Sequence, residues 1–398
     1  MITVEEARAR ILAGLSPTPA ETVPLADGFS RVLARPVAAR LTQPPADVSA
    51  MDGYAVRAAD AAEGAALRVI GAAPAGHPFV GAVGPGEAVR IFTGGVVPPG
   101  ADAILLQEDA EATEGRVAVR ETVRPGRWIR AAGLDFRLGE ELLAAGRRLT
   151  ARDIGLAAAA NHPWLTVYRR PRIGILATGD EIALPGEPIP VGGIVSSNAH
   201  ALAALIRQHG GEPLVLPIVP DDREAIATTA RAAAGCELLV TTGGASVGEH
   251  DLVQSALGPD GFALDFWKIA MRPGKPLIWG RLGATPLLGL PGNPVSALVC
   301  GVMFLLPALA RLQGLDPAGV PRRFGAVSGA PLAANDARAD HLRATLSRSA
   351  DGAWVATPFA RQDSSMLKTL ARAEALLLRP PCAPALPEGA PVEIVPLD

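Results

Sequence analysis

Ile173-Gly174-Ile175-Leu176-Ala177-Thr178-Gly179-Asp180-Glu181 is the stretch on which the reading of the fold turns. Four mostly apolar residues run into small residues, a glycine and two carboxylates. That order predicts a short buried strand ending in a loop. The same rhythm returns at Glu237-Leu238-Leu239-Val240-Thr241, which runs into Thr242-Gly243-Gly244. Between the two, 199–208 has helical spacing, Val215-Leu216-Pro217-Ile218-Val219 is a strand candidate, and 221–234 is a helix candidate. Strands alternating with helices imply a parallel-type sheet in an α/β domain, placed at 171–315. Ligands of such sheets bind at the carboxyl ends of the strands, where these loops fall.

Outward from this centre the pattern changes on both sides. Short apolar runs at 67–70, 88–92, 103–106 and 117–119 sit among Gly, Pro and acidic turns, so 41–140 reads as an inserted β-rich domain. Helical patterns flank it. Thr3 followed by Glu6 suggests a capping box, with Val4, Ala7, Ile11, Leu12 and Leu15 at helical spacing, and 150–161 is a second helix. These segments, 1–40 and 141–170, are assigned to one helical linker domain. From 316 to 398 short strands return, predicting a C-terminal β domain that is barrel-like. The fold class is therefore multidomain α/β plus β.

With 398 residues, the chain exceeds what one core holds, ~250–300 residues. Apolar residues at 49% against 19% charged exclude a disordered chain. A net charge of -3 argues against broad nucleic-acid binding and against a polybasic membrane face. Cys236, Cys300 and Cys382 form no CxxC pair, so buried thiols in a reducing compartment are expected. The first residues do not resemble a signal peptide. The most apolar run, 297–309, is shorter than the ~20 residues of a membrane span and contains Pro307, so a buried helix is expected. The expected location is the cytoplasm.

Four loops carry the chemistry. In Thr178-Gly179-Asp180-Glu181, glycine allows close approach to the backbone and paired carboxylates suit a hard divalent cation, though a helix N-terminus also favours Asp and Glu. Gly243, Gly244, Ser246 and Gly248, followed by Asp251, suggest an anion or pterin cradle, and match neither a Walker A loop nor GxGxxG. Lys268, Arg272 and Lys275 place three cations in a proline-shaped loop that suits an oxyanion. In Pro291-Gly292-Asn293-Pro294, Asn293 reads as an N-cap with Pro294 in the first turn, an arrangement compatible with an anion there. No HxxxH pairing supports a zinc site, and Ser246 has no recognisable hydrolase partners.

Taken in order along nearly the whole chain, these segments resemble the molybdopterin molybdenumtransferase family, which includes the C-terminal enzyme domain of gephyrin. The resemblance is carried by 49–55, Phe92-Thr93-Gly94, 133–135, 178–181, Ser197-Asn198, 220–222, 243–251, 272–276 and 291–294. It implies an elongated homodimer with a site between the α/β domain of one subunit and the insert of the other. The implied reaction takes adenylylated molybdopterin and molybdate, with Mg²⁺ or another divalent cation, to molybdenum cofactor and AMP. Asp180, Glu181, Asp221 and Asp251 then match positions that handle the pterin and the metal-bound pyrophosphate, with Glu181, Asp221 and Asp251 as metal ligands. Asp52 and Thr93 match the insert's contribution. Lys268, Arg272 and Lys275 match the molybdate loop. Thr178, Gly179, Ser197, Asn198, Gly243, Gly244, Ser246, Gly248, Pro291, Gly292 and Asn293 match the pterin-binding segments. Implied partners are a molybdopterin adenylyltransferase and apo-molybdoenzymes.

The sequence departs from the family at three places. Arg272 stands where Lys is frequent, Ala245 where Val is usual, and 362–366 and 372–374 only approximate the family's QGSG-like and AN-like segments. Two other readings compete: the related adenylyltransferase, which ends its glycine strand in GGTG and lacks the insert and C-terminal domain, and a non-catalytic scaffold.

Overall fold

Thr3 begins the first helix by accepting a hydrogen bond from the Glu6 N–H at 3.0 Å, which satisfies one of the donors a helix start leaves open. In this computed structural model, residues 1–243, 256–258 and 261–397 are described. The helix spans Val4–Ala13 and buries Val4, Ala7 and Ile11. These residues join one core with Ile173, Ile175, Leu238, Val240, Leu288 and Leu290 of the α/β sheet. The first helix therefore packs on the α/β domain. The rest of the expected linker segment forms its own small core from Val23, Leu33, Val37, Leu143, Leu149, Ala157, Leu165 and Val167. That unit holds the helix Ala151–Ala159, started by a Thr150–Asp153 capping box, and the antiparallel pair Ala20–Pro24 with Trp164–Tyr168.

The insert is one six-stranded sheet that includes Gly53–Val56, Ala66–Ala73, Glu87–Ile91, Ala103–Leu106 and Arg116–Val119. Its two faces bury separate apolar sets, one around Leu67 and Leu105, the other around Val89 and Ile104. Residues on alternate sides of a strand feed the two, as the period of a strand requires.

The α/β sheet runs in the order Glu212–Val215, Arg172–Ala177, Leu238–Thr242, Thr285–Leu290, Ile278–Leu282, Phe262–Trp267. The first four strands are parallel, as expected. The last two extend the sheet antiparallel. Because two reversals restore direction, Phe262–Trp267 points the same way as the parallel set. The edge strand lies three residues earlier than the sequence suggested. Pro217 has no N–H to give to the ladder, whereas Pro213 is tolerated because it sits on an edge strand.

The long helix Pro294–Leu312 passes the length and apolarity test for a membrane span, but 83% of its apolar window is buried, so it is the core helix. Pro307 does not interrupt it. The turn Gly301–Leu305 just before it is π-helical, which opens the spacing where the proline ring would strike the carbonyl four residues back.

The C-terminal domain is a barrel. Ala339–Arg348, Trp354–Pro358, Phe324–Ser328, Pro391–Pro396 and Ala375–Arg379 pair in a closed ring. His341 is buried in it and its pKa is pushed down to about 4, chiefly by loss of hydration. A depressed histidine favours the neutral form in the fold. The associated stability is full above the unfolded value near 6.5 and is lost as pH falls toward about 4. The melting temperature of the wild type should thus fall more steeply over that window than that of His341→Leu, as followed by calorimetry.

Candidate active site

The site begins with backbone register. Leu176, Thr241, Gly289, Ile278 and Trp267 are consecutive partners in one row across five strands. Whatever follows Leu176, Thr241, Gly289 and Trp267 in sequence therefore emerges from the same edge of the sheet. At ~4.8 Å per strand, the row is about 19 Å long. The loops after Ala177, Thr242, Leu290 and Trp267 are neighbours for this reason.

Close packing holds the first three together. The Thr178 N–H donates to the Thr242 carbonyl at 3.3 Å, and the Gly179 N–H donates to Val219 O at 3.1 Å. Gly243 has φ +93°, and a Cβ there would penetrate the Thr178 carbonyl. Gly292 lies against the Gly243 Cα at 3.4 Å from where its own Cβ would stand. The Asn198 amide ties three loops with one nitrogen: Nδ2 donates to Thr242 Oγ1 at 2.9 Å and to Gly292 O at 2.6 Å. Thr242 Oγ1 in turn donates to Pro291 O at 3.4 Å. Ser197, at the cap position of the same helix, donates to Asn198 Oδ1 at 3.5 Å.

Carboxylates line one side. Glu181 curls back over Gly179, with Oε2 2.7 Å from where a Cβ would stand on that glycine. Asp180 Oδ1 accepts the Asp221 N–H at 3.1 Å, which joins the loops after two adjacent strands. Asp222 caps the helix Arg223–Arg231 by accepting from the Ala225 N–H at 2.8 Å. Beside these loops opens a cavity of about 670 Å³ lined by Gly179, Asp180, Leu184, Ser196, His200 and Pro220, among others. An apolar cavity of about 610 Å³ lies elsewhere, where the long helix meets the barrel, and holds none of the expected site residues.

The cations stand at the other end of the row. Lys268 follows Trp267 in a left-handed conformation, φ +75°, and its ammonium sits 3.5 Å from the Trp267 ring centroid. Lys275 is exposed. Arg272, expected in the same oxyanion loop, is paired with carboxylates of the barrel. Its guanidinium grips Asp340 of the barrel through Nε at 2.8 Å and Nη2 at 2.9 Å, with Asp336 3.7 Å from Nη1.

One expected detail differs. Asn293 is the residue before the long helix, yet its side chain makes no cap bond; Nδ2 donates to Ser364 Oγ at 3.1 Å instead. Ser364 O accepts the Val295 N–H at 3.2 Å. Buried Arg343 holds this barrel loop, bonding Gln362 Oε1 at 3.0 Å and Asp363 O at 2.7 Å. The barrel thus reaches the crevice through Ser364, a role the sequence reading left open. Sequence spacing gave no signal for Arg343 or Asp340, which belong to the C-terminal barrel and not to the α/β domain that carries the crevice loops.

Asp52 and Thr93 meet each other in the insert. Asp52 Oδ1 accepts the Thr93 N–H at 2.7 Å and the Thr93 hydroxyl at 2.8 Å. The amide bond, then the hydroxyl bond, hold the Asp52 carboxyl below its usual range. Among the described residues, this pair makes no hydrogen bond or ion pair with the α/β loops. Gly244, Ser246, Gly248 and Asp251 lie outside the described residues.

A glycine-walled crevice at the strand ends of an α/β sheet, acidic at one end and cationic at the other, defines an enzyme-type site for an anionic ligand. The family models match accordingly: MoeA N-terminal region (domain I and II) over residues 2–161, a probable molybdopterin binding domain over 174–311, and MoeA C-terminal region (domain IV) over 326–397. Molybdopterin molybdenumtransferase of Haemophilus influenzae is 36% identical over 346 residues, covering 86% of this chain and 85% of that protein. Molybdopterin molybdenumtransferase 2 of Mycobacterium tuberculosis is 37% identical over 367 residues, covering 89% and 90%. The molybdopterin biosynthesis MoeA protein of Pyrococcus horikoshii superposes with a TM-score of 0.87 at 29% identity, covering 100% of this chain and 99% of that one. The chain belongs to the molybdopterin molybdenumtransferase family.

The packing of Gly243 yields a test. Gly243→Ala combines a disfavoured φ, about 1–3 kcal/mol, with displacement of the Thr178 carbonyl. It should lower both melting temperature and turnover. Gly86→Ala, at φ +70° with open space around it, should lower only the melting temperature.

Proposed function

We propose that the chain transfers molybdenum from molybdate to the dithiolene of adenylylated molybdopterin, with release of AMP. The observation that supports this most is the polarity of the crevice along the strand row. Carboxylates stand beside Gly179 at one end and the lysines of 268–275 at the other. One substrate carries a pyrophosphate, which needs a cation between it and carboxylates. The other is a dianion, which needs cationic side chains directly.

The carboxylates fit a divalent cation. Mg²⁺ takes one or two carboxylates and completes its shell with phosphate oxygens and water. Glu181 and Asp221 offer hard oxygen donors on loops joined by the Asp180–Asp221 bond. Among the described residues no larger His, Cys, Asp or Glu group is a metal candidate. Asp251 would be the third ligand. When bound, the metal would neutralise charge on the pyrophosphate being cleaved. The protein's own part is to orient. Thr178, Gly179 and Gly243 present backbone to the pterin end, Asn198 fixes the Pro291–Gly292 loop against them, and Lys268 and Lys275 hold molybdate beside the sulfurs.

We place the working enzyme in the cytoplasm as a homodimer that receives its pterin from an adenylyltransferase and serves apo-molybdoenzymes. Asp52 and Thr93 would then act in the crevice of the second subunit. Their rigid mutual pairing at the edge of the insert, beside exposed Met51 and Phe92, supports this.

Purified protein given adenylylated pterin, Mg²⁺ and molybdate should release AMP and activate an apo-molybdoenzyme. ATP-dependent adenylylation of free pterin by this chain would overturn the assignment. Pterin binding without AMP release would leave a scaffold. For the shared site, Asp52→Ala and Lys268→Ala homodimers should each be nearly inactive. Their heterodimer retains one intact site in two and should recover about half the wild-type rate. No recovery in verified heterodimers would refute the trans arrangement.

A further inference from the structure

The loop that carries Lys268, Arg272 and Lys275 is held from both flanks by distant parts of the chain. On one flank Ile2 bridges to Ile269 in parallel, and its carbonyl accepts the Ala270 N–H at 2.9 Å. On the other, Met271 and Arg272 pair with Ala339 and Asp340 of the barrel, and the Ala339 N–H donates to Ala270 O at 2.9 Å. Ile269 and Met271 are buried between. Asp340 is itself 6% exposed, and its two oxygens are taken by Nε and Nη2 of Arg272. A side-on guanidinium–carboxylate pair of this kind fixes direction as well as distance. A second carboxylate, Asp336, stands 3.7 Å from Nη1 and is also paired with Arg338 at 2.6 Å.

The charge count follows. Arg272 faces two carboxylates and offers little net positive charge to a dianion. Lys268 and Lys275 have no carboxylate partner among the described residues. Lys268 is held against Trp267, in a backbone conformation that a non-glycine residue adopts only when its surroundings impose it.

We infer that Asp340 is a positioning residue for the oxyanion loop: by engaging Arg272 side-on, it makes that arginine the anchor between barrel and α/β domain and leaves Lys268 and Lys275 as the cations that receive the oxyanion. The inference rests on the molybdate-transfer reading above. It gives the C-terminal barrel a defined part in the reaction, that of setting the angle at which two lysines meet the dianion. It also explains why arginine at this position is not a simple replacement for a lysine. A lysine makes one point contact with Asp340 where arginine makes two.

The test separates anchoring from chemistry. In Asp340→Asn and in Arg272→Lys, the KM for molybdate should rise about 10-fold or more, while the KM for adenylylated pterin stays within about two-fold. The double variant Arg272→Gln/Asp340→Asn should be no worse than either single change, because both act through one contact. Amide hydrogen exchange at 269–275 should quicken in Asp340→Asn even without substrate. An unchanged or lower molybdate KM in Asp340→Asn would overturn the inference, since it would mean that Arg272 is an oxyanion ligand in its own right. Unchanged exchange at 269–275 would overturn it as well. A wild-type enzyme with no molybdate-dependent turnover would strike the functional reading alone, and the exchange measurement would still decide the anchoring.

Discussion

Backbone register across one sheet is the constraint on which the site depends. The row Leu176–Thr241–Gly289–Ile278–Trp267 puts four loops from a hundred-residue span of chain on one edge. A slip of one residue in any strand would turn its side chains to the opposite face and withdraw its loop from the crevice. The register is protected by burial on both faces. Ile173, Ile175, Leu238, Val240, Leu288 and Leu290 share one core, and Leu176, Leu239 and Leu287 share the other. Each such side chain contributes about 1.5–3 kcal/mol when fully buried, so the wrong register is strongly disfavoured.

The elements around the sheet serve that register in different ways. The helix Pro294–Leu312 covers one face and starts directly from the crevice loop Pro291–Asn293. The first helix, Val4–Ala13, packs on the same core and brings Ile2 to the oxyanion loop. The barrel closes the arrangement twice, through Asp340 on Arg272 and through Ser364 on Asn293. Both contacts are polar and specific in direction, suited to fixing loops rather than to supplying bulk stability.

The two halves of the site follow opposite electrostatic logic. At the acidic end, Asp180 accepts the Asp221 amide and Glu181 folds back over Gly179. The Gly179 φ of +148° and the Asp180 bond to the Asp221 amide join two acidic loops, which offer hard oxygen donors. At the other end, Asp340 and Asp336 pair with Arg272, and among the described residues Lys268 and Lys275 have no carboxylate partner. Arg272 is paired side-on with Asp340 of the barrel, the carboxylate that lies within 3 Å of it.

Much of this was legible in the sequence. Short apolar runs ending in glycine loops announced the α/β domain, short apolar runs among Gly, Pro and acidic turns announced the insert, returning short strands announced the barrel, and the Thr3–Glu6 pattern announced the first cap. Signals of this kind rest on neighbours within a few residues, where chain chemistry alone decides conformation. The ordered motifs also announced the family. Tertiary structure alone decided the rest: that Pro307 is absorbed by a π turn, that the edge strand is Glu212–Val215, that Asn293 bonds Ser364 instead of capping, and that Arg272 is claimed by Asp340. The last two outcomes depend on partners 71 and 68 residues away in another domain, and no local pattern encodes which of several possible partners the packed chain brings within hydrogen-bonding distance.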